Sequence, residues 1–427
     1  VTKTIQPGKV SGTIQANASK SAMQRACAAA LLAKGESFIK NPGSSNDDKA
    51  ALEIIRQLGA SVEQVNNETI KISSNGVKPV SGNIHCGESG LSIRMFTPIA
   101  SLANVPVEIT GEGSLSTRPM DFFDEVLPQL QVKIESNGGR LPMVVNGPLQ
   151  PANIEVDGSL SSQFLTGLLM AYSASGANDV ALHVKDLKSK PYIDLTLQLM
   201  QDFGLPMPEN RNYESFYYPK SDLPKVENLS REYTVEGDWS GAAFLLVAAA
   251  IAGGEIRVNG ILNHSRQADK KIVDALLSAG ANVKVGDNFV TVKKDKLIGF
   301  TFDATDCPDL FPPLVALAAL CKGPTQIRGL KRLKHKESDR GVTLKEEFDK
   351  LNVEVLLEGD IMTVLGTGKV QVMNPRLNSH HDHRIAMAAA VAGLCADFEI
   401  EIRNADAVNK SYPDFWEHLI SLGAKVG

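Results

Sequence analysis

Five segments of this chain set cations at places where a helix should begin. They are Arg118-Pro119, Ser189-Lys190-Pro191-Tyr192, Ser265-Arg266, Lys336-Glu337-Ser338-Asp339-Arg340 and Lys410-Ser411-Tyr412-Pro413. A cation at a helix N-terminus opposes the helix dipole and costs roughly a few tenths of a kcal/mol. For one such start, a solvated loop charge is explanation enough. For five at one phase of a repeat, an anion site explains more, because the first backbone N–H groups already attract anions and the side chains add charge-assisted bonds. A second set of starts carries Lys20-Ser21 with Arg25, Glu88-Ser89-Gly90 with Arg94, Ser161-Ser162-Gln163, Asp238, Asp309, and Asp382-His383-Arg384. Ser21 and Arg25 are four apart and share one helix face. Ser161 or Ser162 also suits an N-cap, and Glu88, Asp238, Asp309 and Asp382 equally suit acidic caps. Together these residues imply at least two anionic groups held among Arg and Lys. Asp309, Glu337 and His383 are candidates for proton transfer, and Lys20, crowded by other cations, is a candidate for a lowered pKa. The chemistry is that of a phosphorylated, carboxylated small molecule. No GxxxxGK[ST] loop and no GxGxxG after a strand occurs.

The elements that must position these residues repeat six times. An amphipathic helix running into a valine-rich strand ends at Gly59, Gln131, Gly204, Gly280, Asn352 and Gly423, at spacings of 72, 73, 76, 72 and 71 residues. Gly and Asn suit the left-handed position that closes many helices, and Gln131 is the exception. Alternating with these are Ala-rich helices, apolar on nearly every face, over 20–33, 89–103, 161–174, 240–252, 309–322 and 383–396. A helix apolar all round is buried all round. The reading is α/β, with helices packed inside sheet, in two lobes of three repeats with a ligand cleft between them. The polar, Pro-containing stretch 218–232 is the expected linker.

Composition removes several classes. The 427 residues exceed one ordinary core, and 44 basic against 49 acidic residues leave a net charge of −5, with no global field for nucleic acid. The longest apolar run, Ala242 to Ala252, is 11 residues, short of the roughly 20 a membrane span needs. Five cysteines without paired spacing read as free thiols of a reducing compartment, and neither CxxC nor HExxH is present. The first residues lack the features of a secretory signal or transit peptide, so the cytoplasm is the expected location.

With these segments in view, the chain resembles the 5-enolpyruvylshikimate-3-phosphate synthases of the enolpyruvyl transferase family. The likeness runs through essentially the whole chain. It is carried by Ser19-Lys20-Ser21 with Arg25, Asp157 to Leu165, Ser189 to Asp194, Val235-Glu236-Gly237-Asp238, Lys336 to Arg340, Asp382-His383-Arg384, and Lys410 to Asp414. The resemblance implies a two-domain inside-out α/β barrel of six βαβαββ repeats, three per domain. Residues 1–18 with 237–427 would form one domain and 19–236 the other, closing over the substrates. It implies transfer of the enolpyruvyl group of phosphoenolpyruvate to the 5-hydroxyl of shikimate 3-phosphate, by addition and then loss of phosphate, with no metal or organic cofactor. By motif, shikimate 3-phosphate would meet Lys20, Ser21, Arg25, Ser161, Ser162, Gln163, Ser189, Tyr192, Asp309 and Lys336. Phosphoenolpyruvate would meet Lys20, Gly90, Arg118, Gln163, Arg340, Arg384 and Lys410. Asp309 and Lys20 would handle the hydroxyl proton, Glu337 would serve C3, and His383 would order Glu337 or the phosphate. A monomer, drawn closed by its anionic ligands and partnered by neither nucleic acid nor membrane, is expected.

Some positions depart from that pattern. Asn17-Ala18 precede Ser19 where Pro-Gly is usual, and Gly87-Glu88-Ser89-Gly90-Leu91 with Arg94-Met95 stands for Gly-Asn-Ala-Gly-Thr with Arg-Pro. Glu88 sets a negative charge by the expected phosphoenolpyruvate site, to weaken it or to pair with a cation. Retention of Gly90 predicts inhibition by glyphosate. Two alternatives stand beside this reading. One is a UDP-N-acetylglucosamine enolpyruvyl transferase, against which the absence of Cys between Ser101 and Thr117 counts. The other is an inactive ligand-binding relative, against which Lys20, Asp309 and Glu337 count.

Overall fold

The structure is a computed structural model that describes residues 1–220 and 229–427. It divides into two compact units, a split unit of Val1–Ser19 with Glu236–Gly427 and a central unit of Lys20–Val235.

In the central unit the buried helices are α1 (Lys20–Leu32), α3 (Gly90–Ala100) and α5 (Ser162–Ser175). The half-exposed ones are α2 (Asn46–Gln57), α4 (Asp121–Val126) and α6 (Lys190–Asp202). The split unit repeats the alternation. Its buried helices are α7 (Trp239–Ala252), α9 (Phe311–Ala319) and α11 (His383–Gly393). Its half-exposed helices are α8 (Ile272–Ala279), α10 (Arg340–Asp349) and α12 (Phe415–Ser421). Every residue of α3 and α11 is buried. Small side chains let such helices approach closely. At the α3–α5 contact a Cβ on Gly167 would lie 2.6 Å from the Met95 carbonyl oxygen, so only glycine fits there.

Among the described residues the strands form six four-stranded sheets of one design. In each, the first two strands of a repeat pair in parallel, and the fourth lies between the second and the third, antiparallel to both. Asn83–His85, Val107–Thr110, Met143–Asn146 and Lys133–Ser136 are one such set, in spatial order. Alternate residues turn inward: Ile70 and Ile72 are buried while Thr69, Lys71 and Ser73 are not. Each unit closes by borrowing strands from afar. Leu229–Thr234 supplies the first strand beside Gly35–Lys40 in the central unit. In the split unit Gly12–Gln15 pairs with Glu255–Asn259, and Thr2–Gln6 lies between Ile400–Arg403 and Lys425–Val426. The expected linker 218–232 is therefore corrected in part. Tyr218 ends one strand, and residues 229–232 belong to an edge strand whose exposed Ser230, Glu232 and Thr234 alternate with half-buried Arg231 and Tyr233. Residues 221–228 of that stretch lie outside the described residues.

The repeat marker has a structural cause. All six positions, Gln131 included, have positive φ: 107°, 61°, 69°, 91°, 56° and 101° in chain order. Each sits in the same pair of reversed hydrogen bonds, as in Gly59 N to Arg56 O at 3.0 Å and Ala60 N to Ile55 O at 2.8 Å. At Gln131 the equivalents are Gln131 N to Pro128 O and Val132 N to Leu127 O. This is the Schellman closure, which turns the chain from helix into strand and seats an apolar residue one position later. The free thiols Cys27, Cys86, Cys307 and Cys321 are buried and Cys395 half-buried, and burial pushes the Cys321 and Cys395 thiols up to about 12. Such thiols are inert. Among the described residues no helix is long and apolar enough to cross a membrane.

Candidate active site

Two constellations emerge, one in each unit. In the central unit Arg25 is buried and ties α1 to α6. Its Nε donates to Thr196 Oγ1 at 2.9 Å, an Nη to the Ser21 carbonyl at 2.9 Å, and its guanidinium carbon lies 5.7 Å from the Tyr192 ring centre. Burial lowers Arg25 to about 10, although Tyr192 and Tyr233 oppose this, so it remains a cation. Thr196 Oγ1 also meets Thr166 Oγ1 of α5 at 2.9 Å, which joins Ser21, Arg25 and Tyr192 to the helix that Ser161 caps through Gln163 N. Ser162 is buried in the first turn of α5, and Ser189, buried at φ 56°, precedes α6.

A second group forms where α3 begins. Arg94 donates to Gln163 Oε1 at 3.0 Å and lies over the Phe164 ring at 5.0 Å. Gly90 is the space in which the buried Arg118 guanidinium sits, since a Cβ there would be 2.4 Å from an Arg118 Nη. Ser89, not Glu88, caps α3. The Glu88 carboxylate crosses instead above Gly113, in the turn before Arg118. Lys20 Nζ rests on Asp47 Oδ2 at 2.7 Å, a counterion from the first turn of α2.

In the split unit Arg340 is the hub. Its side chain, 1% exposed, reaches Asp309 at 2.7 Å, Glu337 at 2.5 Å and Asp382 at 2.8 and 3.2 Å. Asp309 in turn accepts from Lys336 at 3.2 Å and from Arg384 at 3.2 Å. Three carboxylates thus interlock with three cations. Burial alone would raise the Asp309 carboxyl, but Arg384, Lys336 and Arg340 outweigh it and hold it well below the usual carboxylate range. Burial lowers Lys336 to about 8, aided by Arg340 and Arg332 and opposed by Asp309 and Glu337. Asp309 caps no α-helix. It lies in the 3₁₀ turn Pro308–Leu310, with its carboxylate spent on cations. Asp238 and Asp382 do cap α7 and α11. His383 is buried beside Asp382, Nδ1 to Oδ1 4.0 Å, and Lys410 donates to the His381 carbonyl at 2.6 Å. Of these helix starts, Arg118, Ser189, Lys336, Arg340 and Lys410 turn into the protein, whereas the cations Lys190 and Arg266 are exposed.

Sequence reasoning passed over Asp47 and Asp269 as ion partners. Asp47 stands in a capping box formed by Ser45 and Asp48, and looks like an ordinary first-turn acid. Asp269, fully buried, takes the Ser240 hydroxyl.

What the arrangement can do is bind anions through backbone N–H groups and buried cations, beside carboxylates able to move protons. Comparison with known proteins identifies the family. The family model described as EPSP synthase (3-phosphoshikimate 1-carboxyvinyltransferase) matches residues 5–419. A 3-phosphoshikimate 1-carboxyvinyltransferase of Clostridium novyi is 36% identical over 98% of this chain and 97% of its own. One of Methanococcoides burtonii is 36% identical over 99% and 98%. The solved EPSP synthase of Acinetobacter baumannii superposes with a TM-score of 0.80 at 25% identity, covering 100% of this chain and 99% of that one. The enolpyruvyl transferase NikO of Streptomyces tendae shares the fold, with a TM-score of 0.76 at 20% identity. From residue 5 to residue 419, the chain belongs to the EPSP synthase (3-phosphoshikimate 1-carboxyvinyltransferase) family.

Proposed function

We propose that the chain joins the enolpyruvyl group of phosphoenolpyruvate to the 5-hydroxyl of shikimate 3-phosphate and releases phosphate. The observation that carries this is the interlocked Asp309–Lys336–Arg340–Arg384–Glu337 cluster, in a chain of this family. The family matched sets aside the UDP-N-acetylglucosamine alternative. Lys20, Ser21, Arg25, Ser161, Ser162, Gln163, Ser189, Tyr192, Asp309 and Lys336 are assigned to shikimate 3-phosphate. Lys20, Gly90, Arg118, Gln163, Arg340, Arg384 and Lys410 are assigned to phosphoenolpyruvate. We assign the reaction to a single chain in the cytoplasm.

The ion pairs suggest how the base is switched on. Asp309 among three cations is too acidic to take a hydroxyl proton. A substrate phosphate that engages Lys336, and a second anion that engages Arg340 and Arg384, remove that stabilisation and return Asp309 to a useful basicity. The 5-oxygen then adds to C2 as its proton leaves to Asp309 or Lys20, and Glu337 protonates C3. In the second step a proton leaves C3, the C–O bond to phosphate breaks, and the enol ether remains. Buried cations stabilise the developing charge, where loss of one donor commonly costs about 10²–10³ in rate.

The test is phosphate release with both substrates present. Release that requires both supports the reading; tight binding of both without turnover supports an inactive ligand-binding protein instead. Two further results are expected. Above pH 8 the Lys336 ammonium loses its proton, so kcat/KM for shikimate 3-phosphate should fall in the native protein and stay level in Lys336→Arg. Gly90→Ala should raise KM for phosphoenolpyruvate about tenfold with little change in Tm, because the new methyl displaces the Arg118 guanidinium, and a misplaced anion contact is worth on the order of one decade. Steady-state kinetics and a melting curve check both.

A further inference from the structure

Asp269 is a buried carboxylate that the proposed chemistry does not use. It stands in the 3₁₀ turn Ala268–Lys271 that leads into α8 and has no exposed surface. Its turn is clamped to the start of α7: Gln267 Oε1 accepts from Trp239 N at 3.0 Å, and Gln267 Nε2 donates to the Gly237 carbonyl at 2.8 Å. One carboxylate oxygen, Oδ2, takes the hydroxyl of Ser240. Among the described residues the other, Oδ1, has no hydrogen-bond partner, and neither has Nε of Arg384. A buried carboxylate oxygen left without a donor is costly unless its charge is compensated nearby. The charges that reach it come from three other elements. Asp309 before α9 and Asp238 at the cap of α7 repel it, and Arg384 at the start of α11 attracts it. The Cys307 thiol also feels it but is held neutral by burial.

We propose that Asp269 is a positioning residue for Arg384 and Asp309, competing for the guanidinium and, by repulsion, making the Asp309 carboxylate more basic than it would be without that second charge. The inference rests on the reading of Asp309 as proton acceptor and of Arg384 as a phosphoenolpyruvate ligand. Arg384 feels three carboxylates: it is bonded to Asp309 at 3.2 Å and attracted, without a direct bond, by Asp269 and then Asp238. While Asp269 is ionised, the pull of Arg384 on Asp309 is weakened and the guanidinium exchanges more readily onto a substrate anion. Once Asp269 is protonated, Arg384 settles on Asp309, which becomes a poorer base. Burial, then Asp309 and Asp238, push the Asp269 carboxyl up to about 7 against the opposing pull of Arg384 and Ser240, so this change falls within the working pH range.

The experiment is the pH profile of kcat/KM for phosphoenolpyruvate from pH 5.5 to 8.5, in the native chain and in Asp269→Asn. The ratio of the two profiles cancels the ionisation of substrate phosphate, near pH 6, and of Lys336. The expected ratio is near one at the acid end and rises to about tenfold through a midpoint near 7, a decade being the ordinary size of one charge–charge coupling. A ratio that is constant with pH means a purely structural role and overturns the proposal. Ser240→Ala gives an arm that survives if Asp269→Asn does not fold. Without the hydroxyl the same inflection of the native profile should move upward by on the order of one pH unit. An inflection that stays in place overturns the proposal. Asp309→Asn with native turnover would instead remove the reading of Asp309 on which the inference stands, a result distinct from either of the others.

Discussion

Arg340→Met should lower the stability of the split unit by about 3–5 kcal/mol, the usual consequence of removing one partner of a buried ion pair. The reason lies in what remains. Asp382 has no exposed side-chain surface and gives both oxygens to Arg340. It also caps α11 through Arg384 N at 3.0 Å and accepts from Ser338 at 3.1 Å. Neutral donors alone cannot support a carboxylate in that position. Asp309 and Glu337 lose a cation in the same step, so kcat/KM for phosphoenolpyruvate should fall by about 10²–10³ as well. Arg340→Lys separates the two effects. It restores charge at one point but cannot fork to three carboxylates, so it should regain part of the stability and less of the activity. Urea unfolding with a probe in the split unit, alongside steady-state kinetics, measures both. A loss below about 1 kcal/mol in the methionine variant would mean that the hub is solvated and that its ion pairs contribute little.

Local patterns carried much of the fold into view and distant ones did not. Six helix ends at a period of about 72 residues were legible because Gly and Asn mark the left-handed position, and the same closure recurs at each. Gln131 broke the composition rule without breaking the geometry. It is exposed, and the pair of reversed bonds with buried Val132 behind it holds φ at 61°. The exchange of strands that closes each unit left no local sign. Leu229–Thr234 pairs with Gly35–Lys40, nearly two hundred residues away, and as a half-exposed edge strand it has a linker's composition. The site was legible in its cations and less so in its anions. An acid in the first turn of a helix has an ordinary role, and that hid Asp47 beneath Lys20. Asp382, placed as a possible cap, serves as cap and counterion together. Repeat phase aligns residues of one type and cannot reveal a counterion brought from a different helix, which is why Asp47 beside Lys20 stayed out of view.

Glu337→Gln tests the proposed chemistry with the least disturbance to structure. The carboxylate is 15% exposed and meets one Arg340 nitrogen at 2.5 Å, while Asp309 and Asp382 hold the same guanidinium from other sides. An amide of equal size keeps an oxygen for that contact, so the stability change should stay within about 1 kcal/mol, as for a partly exposed pair. Proton delivery to C3 is a different matter, because the amide is neither acidic enough to donate a proton nor basic enough to take one back at working pH. If Glu337 serves C3 in both directions, kcat should fall by about 10²–10⁴, the range for loss of a general acid–base group. A second readout separates that role from simple binding. Protonation turns C3 into a methyl group, whose hydrogens become equivalent by rotation, so reversal in deuterated water places deuterium at C3 of recovered phosphoenolpyruvate. The native chain should show this exchange and Glu337→Gln should lose it in proportion to kcat, with KM values for both substrates little changed. Exchange that survives in the glutamine variant while turnover is lost would move the C3 proton to another group, and His383, buried beside Asp382, would be the next to replace.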